Sequence, residues 1–311
     1  MKTIVVTGGA GFIGANLCRR LADHPAVSAV PALDDLSTGY RSNLDGVDAE
    51  LVEGSILDKD LLAKCATDAD AIVHLGARPS VPRSVTDPVA SHLANATGTV
   101  NVLEAARTAG GIRVVVASSS SVYGANPMLP KHEDLATRPL SPYAASKLAT
   151  EAYALAWQQT YDMPVLALRF FNVFGPLQAA GHAYAAVIPA FVDAALRGEP
   201  LPVHGDGTQG RDFTYVDTVT DVLATAAIEG VDHATPVNLA FGSRTDLLHV
   251  IELLEKILDR PLERDHQPTR VGDVKQSQAD SSVLLSLFPD LAPVDLETGL
   301  RHTVEWFQSQ S

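Results

Sequence analysis

Two short segments carry the residue types that chemistry at a carbon–oxygen bond requires. Ser118-Ser119-Ser120-Ser121 ends an apolar run, and Tyr143-Ala144-Ala145-Ser146-Lys147 sets a phenol and an amine four positions apart. On a helix that spacing stacks Tyr143 and Lys147 one turn apart on one face. A phenol with a pKa of ~10 is a poor base at neutral pH, and a nearby ammonium draws it toward a working value. Tyr143 is then able to take a proton from a hydroxyl while hydride leaves the same carbon, with Ser119 hydrogen-bonded to that oxygen. The Tyr-x-x-x-Lys spacing alone is common on helices, so its weight comes from its neighbours.

The strongest neighbour is the run Thr7-Gly8-Gly9-Ala10-Gly11-Phe12-Ile13-Gly14, which follows an apolar strand and opens an apolar helix. That context reads as a dinucleotide cradle. Gly8 permits the turn, Gly11 lets backbone approach a pyrophosphate, and Gly14 allows close helix–strand packing, with the helix N-terminus facing the phosphates. Twenty residues on, Asp34 ends a second strand, where a carboxylate accepts ribose hydroxyls and repels a 2′-phosphate. Asp35 doubles that repulsion, and Arg41 is the nearest cation. NAD is therefore favoured over NADP. The nicotinamide's positive charge adds to that of Lys147 beside the phenol, and Lys147 also holds the nicotinamide ribose.

The elements that must position these residues alternate. Residues 4–7, 30–33, 71–75, 114–117 and 165–170 read as buried strands, separated by helical stretches at 12–23, 89–109 and 143–160. Such alternation predicts a doubly wound parallel α/β sheet of the Rossmann kind, with a ligand crevice at the strand carboxyl ends. After about residue 172, Gly and Pro become frequent and strands shorten, with a helix at 247–258. The expected division is a dinucleotide domain over 1–172, with returning segments near 205–245, and a smaller α+β substrate lobe over 173–311.

Composition sets bounds. The 311 residues are 46% hydrophobic and 19% charged, an ordinary globular balance. A net charge of −14 argues against nucleic acid and anionic membrane as partners, so an anionic substrate needs arginines placed locally. No apolar run approaches the ~20 residues of a membrane span, and no signal-peptide pattern precedes the first strand. Cys18 and Cys65 give neither a disulfide framework nor zinc spacing, which fits a reducing cytoplasm. The ten histidines show no metal-ligand spacing, so no metal is expected. His74, on a strand end, reads as a structural histidine under the cofactor loop.

Taken together, these motifs resemble the extended short-chain dehydrogenases/reductases, and most of all the UDP-sugar 4-epimerases. The resemblance spans nearly the whole chain and continues through Asp34–Gly39, His74-Leu75-Gly76-Ala77, Leu168–Pro176 and Gly205-Asp206-Gly207 with Arg211-Asp212-Phe213. It implies that Phe12, Ile13, Asp34, Asp35, Ser37, Thr38, Gly39, Ile56, Leu75, Gly76, Ala77, Asn95, Lys147 and Phe170 line the NAD site beside Gly8, Gly11, Gly14 and Tyr143. It implies that Asn172, Arg211, Arg270 and Asp273 hold the nucleotide diphosphate. Two arginines there supply planar donors suited to phosphate. Val81, Ser119, Ser120, Ser121, Tyr143, Ala186, Val187, Val203 and Ser277 are implied at the sugar.

The serine segment divides the family. Related 4,6-dehydratases carry an Asp-Glu pair where this chain has Ser120-Ser121, and elimination of water needs such an acid. Epimerisation through a transient 4-keto sugar is therefore the expected reaction. Segments 78–84, 183–189 and 272–277 resemble epimerases of N-acetylated UDP-hexosamines, and a small Ser277 leaves room for an acetamido group. UDP-glucuronate epimerases remain an alternative. They carry Thr at the position of Asn172 and Arg at that of Leu177, although Arg78 or Arg83 would meet a carboxylate. Decarboxylases and nucleotide-sugar reductases are further alternatives. Ser55 stands where an acid meets the adenine amine, which leaves that contact to Asp58 and backbone. An NAD-binding regulator without catalysis is a rival of another class, but it would not need Ser119, Tyr143 and Lys147 together. The resemblance also implies a homodimer, since members of the family often pair through two long helices, and 89–109 and 143–160, with apolar positions on more than one face, are the candidates.

Overall fold

The computed structural model describes residues 1–180, 185–268 and 276–310; Arg270 and Asp273 lie outside them. β1 (Lys2–Thr7) runs into α1 (Phe12–Ala22), then β2 (Val27–Ala29), β3 (Pro31–Asp34) and β4 (Glu50–Glu53). α2 (Lys59–Ala66) and β5 (Ala71–His74) follow, then the short α3 (Val81–Thr86) and α4 (Pro88–His92). A π-helical turn over Leu93–Thr97 leads into α5 (Gly98–Thr108), β6 (Arg113–Ser119), α6 (Pro142–Tyr161) and β7 (Val165–Phe170).

Among the described residues these strands form an eight-stranded sheet in which every pairing is parallel. With β12 (Val237–Leu239) from the second half at one edge, its order is β12-β7-β6-β5-β1-β3-β4, with β2 also on β1. The strands are apolar in runs because both faces are covered. Along β1, Ile4 and Val6 face α1 in one core with Leu17, Leu21 and Val115, while Val5 faces the opposite core with Ile72, Val102 and Leu103. Strand order reverses between β1 and β5, which opens a crevice at their carboxyl ends.

The second half interleaves with the first. β8 (Asn172–Phe174) leaves the sheet after Phe171 and pairs with β11 (Phe213–Tyr215). Between them come α7 (Val187–Arg197), β9 (Leu201–His204) and β10 (Gly210–Arg211). α8 (Val216–Thr225) returns to the sheet, burying Val219, Val222 and Leu223 in the core that holds α1, and β12 (Val237–Leu239) pairs with β7. β13 (Thr245–Asp246) pairs with β10, and β14 (Arg264–Gln267) with β9. α9 (Leu247–Leu258) and α11 (Leu296–Ser309) join α7 around a separate core of Phe191, Val203, Leu254 and Leu300, while α10 (Ser282–Leu287) packs under the main sheet.

The expected helix at 89–109 starts one residue earlier and is interrupted once. Asp87 caps the N-terminus of α4 by accepting the Ala90 N–H at 3.0 Å, and Pro88 occupies its first position. The π-helical turn then intervenes before α5 begins at Gly98. No helix among the described residues is long and apolar enough to cross a membrane.

Candidate active site

A cleft of about 1140 Å³ runs along the carboxyl edge of the sheet, from the end of β3 past β1 and β5 to β6 and α6. Its floor is the glycine loop. Gly8 has φ +71°, and a Cβ there would lie 2.8 Å from Gly76 N, so the exits of β1 and β5 approach backbone to backbone. A Cβ on Gly14 would lie 1.9 Å from Gly8 O. Gly39 closes the loop from outside, where a Cβ would meet the Ala10 carbonyl at 2.7 Å. No side chain caps α1, whose first residues Phe12, Ile13 and Gly14 line the cleft with Gly11. The helix therefore presents open N–H groups to the cavity, a ready site for anionic oxygen.

Asp34 ends β3, and its carboxylate accepts the Ala10 N–H at 2.9 Å and the Leu36 N–H at 2.8 Å. Burial raises its pKa, against which those backbone bonds work. Asp35 accepts the Ser37 N–H at 3.0 Å, and Arg41 pairs with Glu53 at 2.5 Å rather than facing Asp34. His74 is wholly structural. Its Nδ1 lies 2.7 Å from Thr7 Oγ1, which accepts the Gly76 N–H, and its Nε2 lies 3.1 Å from Thr99 Oγ1. Burial, then the charge of Lys147, lowers its pKa to about 3, so the ring is neutral at physiological pH.

At the other end, Ser119 closes β6 while Tyr143 and Lys147 project from the first turns of α6. The Ser119 hydroxyl acts on the phenol and lowers its pKa, and Ser119 Oγ accepts from Ser121 Oγ at 2.9 Å. Lys147 Nζ donates to Ala117 O at 2.8 Å, and burial lowers its ammonium to about 8. The sequence points to a phenol drawn down by Lys147. In the protein alone, burial raises the Tyr143 pKa and the Ser119 hydroxyl only partly offsets it. The physical reason is that a phenolate in the cleft loses solvent.

The cleft brings together most of the residues singled out from the sequence. Ser37, Thr38, Ile56, Leu75, Gly76, Ala77, Phe170 and Ala186 line it with the glycine loop, Asp34, Asp35, Ser119, Tyr143 and Lys147. Asn172, Arg211 and Ser277 gather nearby, where Asn172 Nδ2 donates to Asp212 O at 3.2 Å and Ser277 N donates to Gly210 O at 3.0 Å. Ser120, Ser121 and Val81 are half-buried beside the cleft-lining residues, and Val187 opens α7 next to Ala186.

Two residues are placed elsewhere. Val203 is fully buried in the lobe core, because alternation along β9 turns Leu201 and Val203 inward. Asn95, 1% exposed, binds the backbone of Arg78 and the hydroxyl of Ser146 rather than opening onto the cavity. Sequence reasoning missed the buried ion pair of Glu151 and Arg169 behind Ser118. Its signal was the position of Glu151, four residues past Lys147 and so on the same helical face.

The family described as the NAD dependent epimerase/dehydratase family matches residues 4–240. The chain belongs to that family. As a member of it the protein is an enzyme whose cofactor is NAD. The "UDP-glucose 4-epimerase" of Mycolicibacterium smegmatis is 37% identical, with 100% of both chains covered. A "Probable UDP-glucuronate 4-epimerase" of Rhizobium meliloti is 31% identical over 97% of this chain and 96% of its own. A solved "UDP-N-acetylglucosamine 4-epimerase" from Methanobrevibacter ruminantium M1, in complex with UDP-N-acetylmuramic acid, superposes with a TM-score of 0.93. It is 36% identical and covers 100% of this chain and 99% of its own. The glycine cradle fits the family's cofactor: it admits no Cβ at Gly8 or Gly14, and it aims an uncapped helix N-terminus at the cavity.

Proposed function

We propose that this family member is a UDP-sugar 4-epimerase that works through a transient 4-keto sugar, with Tyr143 as acid and base. One observation carries the reading. The carboxylates among the described cleft-lining residues are Asp34 and Asp35, both at the end of β3, and none stands beside Tyr143 and Ser119. A dehydratase needs an acid for its leaving hydroxyl, whereas an epimerase needs one proton moved off and back onto the same oxygen.

Tyr143 Oη takes the proton of the sugar's 4-hydroxyl as that carbon becomes a carbonyl, and Ser119 holds the same oxygen. After the sugar turns in the cleft, Tyr143 returns the proton to that oxygen. Bound NAD would supply the acceptor of the C4 hydride, its donor to the opposite face on return, and a positive ring charge that brings the phenol down. Asp34 accepts ribose hydroxyls, and the open N-terminus of α1 receives the pyrophosphate. Asn172, Arg211 and Ser277 mark where the smaller lobe receives the nucleotide diphosphate and the sugar's C2 substituent. UDP-glucose and UDP-N-acetylglucosamine are the first substrates to try. UDP-glucuronate is a second reading, because Arg78 and Arg83 both line the cleft.

The test is a turnover panel of these three UDP-sugars read by NMR of the anomeric product. Epimerised product from any one of them is expected. A 4-keto-6-deoxy product, or no isomer exchange with any sugar, removes the epimerase reading.

A homodimer belongs to the same proposal. Val89, Leu93, Tyr153 and Tyr161, on or beside the expected pairing helices, are 66%, 42%, 43% and 47% exposed, a concentration of apolar side chains that suits a partner surface. Sedimentation velocity at micromolar concentration should give a dimer, and a single monomeric peak counts against it.

A further inference from the structure

The first turn of α6 leaves backbone donors that must find partners. Ser141 caps the helix: its Oγ accepts the Ala144 N–H at 3.1 Å and its carbonyl accepts the Ala145 N–H at 3.0 Å. Pro142, at the first helical position, has no N–H. The remaining donor is the N–H of Tyr143, and it is met from another element. Ser84, on α3 and fully buried, accepts it at 3.0 Å. The Ser84 hydroxyl hydrogen is committed to Val81 O at 2.7 Å, so a lone pair is left facing Tyr143.

The other side of the residue is held as well. Ser146 Oγ donates to Tyr143 O at 2.8 Å and accepts from Asn95 Nδ2 at 2.9 Å. Asn95 in turn brackets Arg78, accepting its N–H at 2.7 Å and donating to its carbonyl at 3.2 Å. Both the N–H and the C=O of Tyr143 are thus tied to residues 78–84. That segment lines the cleft through Arg78, Pro79, Ser80 and Arg83, and it holds Ser80 at φ +96°, a conformation costly for a non-glycine residue.

We propose that Ser84 and the Asn95–Ser146 pair are positioning residues that clamp the Tyr143 backbone and couple it to the segment that meets the sugar. The phenol oxygen lies at the far end of the side chain, so a small turn of the backbone is magnified there. A misplacement of about 1 Å at a reacting atom costs about 10²-fold in rate. The proposal rests on the reading of Tyr143 as the acid/base, and its test does not depend on knowing the sugar.

The quantity to measure is the titration midpoint of the Tyr143 phenol in the full-length holoprotein, by ultraviolet difference absorbance with Tyr143→Phe as the blank. Burial raises it and the Ser119 hydroxyl lowers it, while the Lys147 ammonium on the same face of α6 donates to Ala117 O. Release of the clamp lets the phenol turn from the Ser119 hydroxyl that lowers its pKa, so Ser84→Ala and Ser146→Ala should each raise the midpoint. With a turned-over sugar, each should lower kcat about tenfold and leave KM within about twofold. Ser141→Ala, which removes the cap on Ala144 instead, should leave the midpoint in place. Ser146→Ala serves as an independent arm if the buried Ser84 variant does not fold. An unmoved midpoint in the clamp variants, or an equal shift in Ser141→Ala, overturns the proposal. A protein that turned over no UDP-sugar would defeat the epimerase reading, and the midpoint would still decide this one.

Discussion

Glu151 and Arg169 meet behind the catalytic strand in a two-pronged pair, Nη2 to Oε1 at 2.6 Å and Nε to Oε2 at 2.9 Å, with side chains only 5% and 4% exposed. Ser118 donates to the same carboxylate at 2.9 Å, and Arg169 Nη1 donates to Tyr123 Oη, also at 2.9 Å. Burial works against the guanidinium's charge, and Glu151 more than restores it. The pair locks α6 to β6 and β7, one helical turn beyond Lys147. Glu151→Gln leaves a buried charge uncompensated and should cost about 3 kcal/mol of stability. Glu151→Met combined with Arg169→Met should be more stable than either single variant, by urea-denaturation midpoints.

Tyr143→Phe removes the group assigned to move the proton. Turnover should fall by about 10²–10⁴-fold, while the NAD content and thermal midpoint of the purified protein stay close to those of the parent. Turnover retained within about twofold would place the acid/base elsewhere.

Gly11 and Gly14 should fail differently. A Cβ at Gly14 would lie 1.9 Å from Gly8 O and 2.9 Å from Gly9 Cα, so Gly14→Ala must shift the loop, lowering both thermal midpoint and NAD affinity. A Cβ at Gly11 meets only Gly8 O, at 3.2 Å. Gly11→Ala should weaken NAD binding by at least about tenfold through blocked approach to the pyrophosphate, with little change in the thermal midpoint of the cofactor-free protein.

His74 predicts a pH dependence of stability. Its folded pKa is depressed from 6.5 to about 3. Between those values the unfolded chain binds a proton that the folded protein refuses, so stability falls as pH falls through that window, by up to about 1.4 kcal/mol per pH unit. Removal of the ring in His74→Gln should flatten the stability–pH curve there by that one proton. Equal slopes in parent and variant would show that other groups carry the acid dependence.

Sequence periodicity read the sheet well where strands are buried on both faces, because an unbroken Ile-Val-Val or Val-Val-Val-Ala run has few alternatives. Within the returning segments expected near 205–245 it did not single out β12, where buried Asn238 interrupts the apolar pattern. That Asn receives the Tyr123 hydroxyl at 2.7 Å and donates to Lys131 O at 2.8 Å, partners that no local window contains. At the site, glycine spacing and the Tyr143–Lys147 turn were legible because each is a local geometry. The roles of Ser84 and Asn95 were not. They act on Tyr143 from 59 residues away and on Ser146 from 51 residues away, and neither residue type announces its partner. The burial of Val203 was not legible for a related reason: resemblance transfers a position, but which face of β9 it occupies is decided by the lobe core.

The return of α8 and β12 to the main sheet has a consequence for dissecting the chain. A chain stopped before residue 213 would keep β7 but lose the strand that pairs with it through Leu168, Arg169 and Phe170. It would also strip Val219, Val222 and Leu223 from the face of α1. The buried run Val165-Leu166-Ala167-Leu168 would then border a row of unpaired amides and carbonyls, a template for strand addition by another copy. Shortened versions of this protein should therefore self-associate edge to edge instead of persisting as a free-standing half.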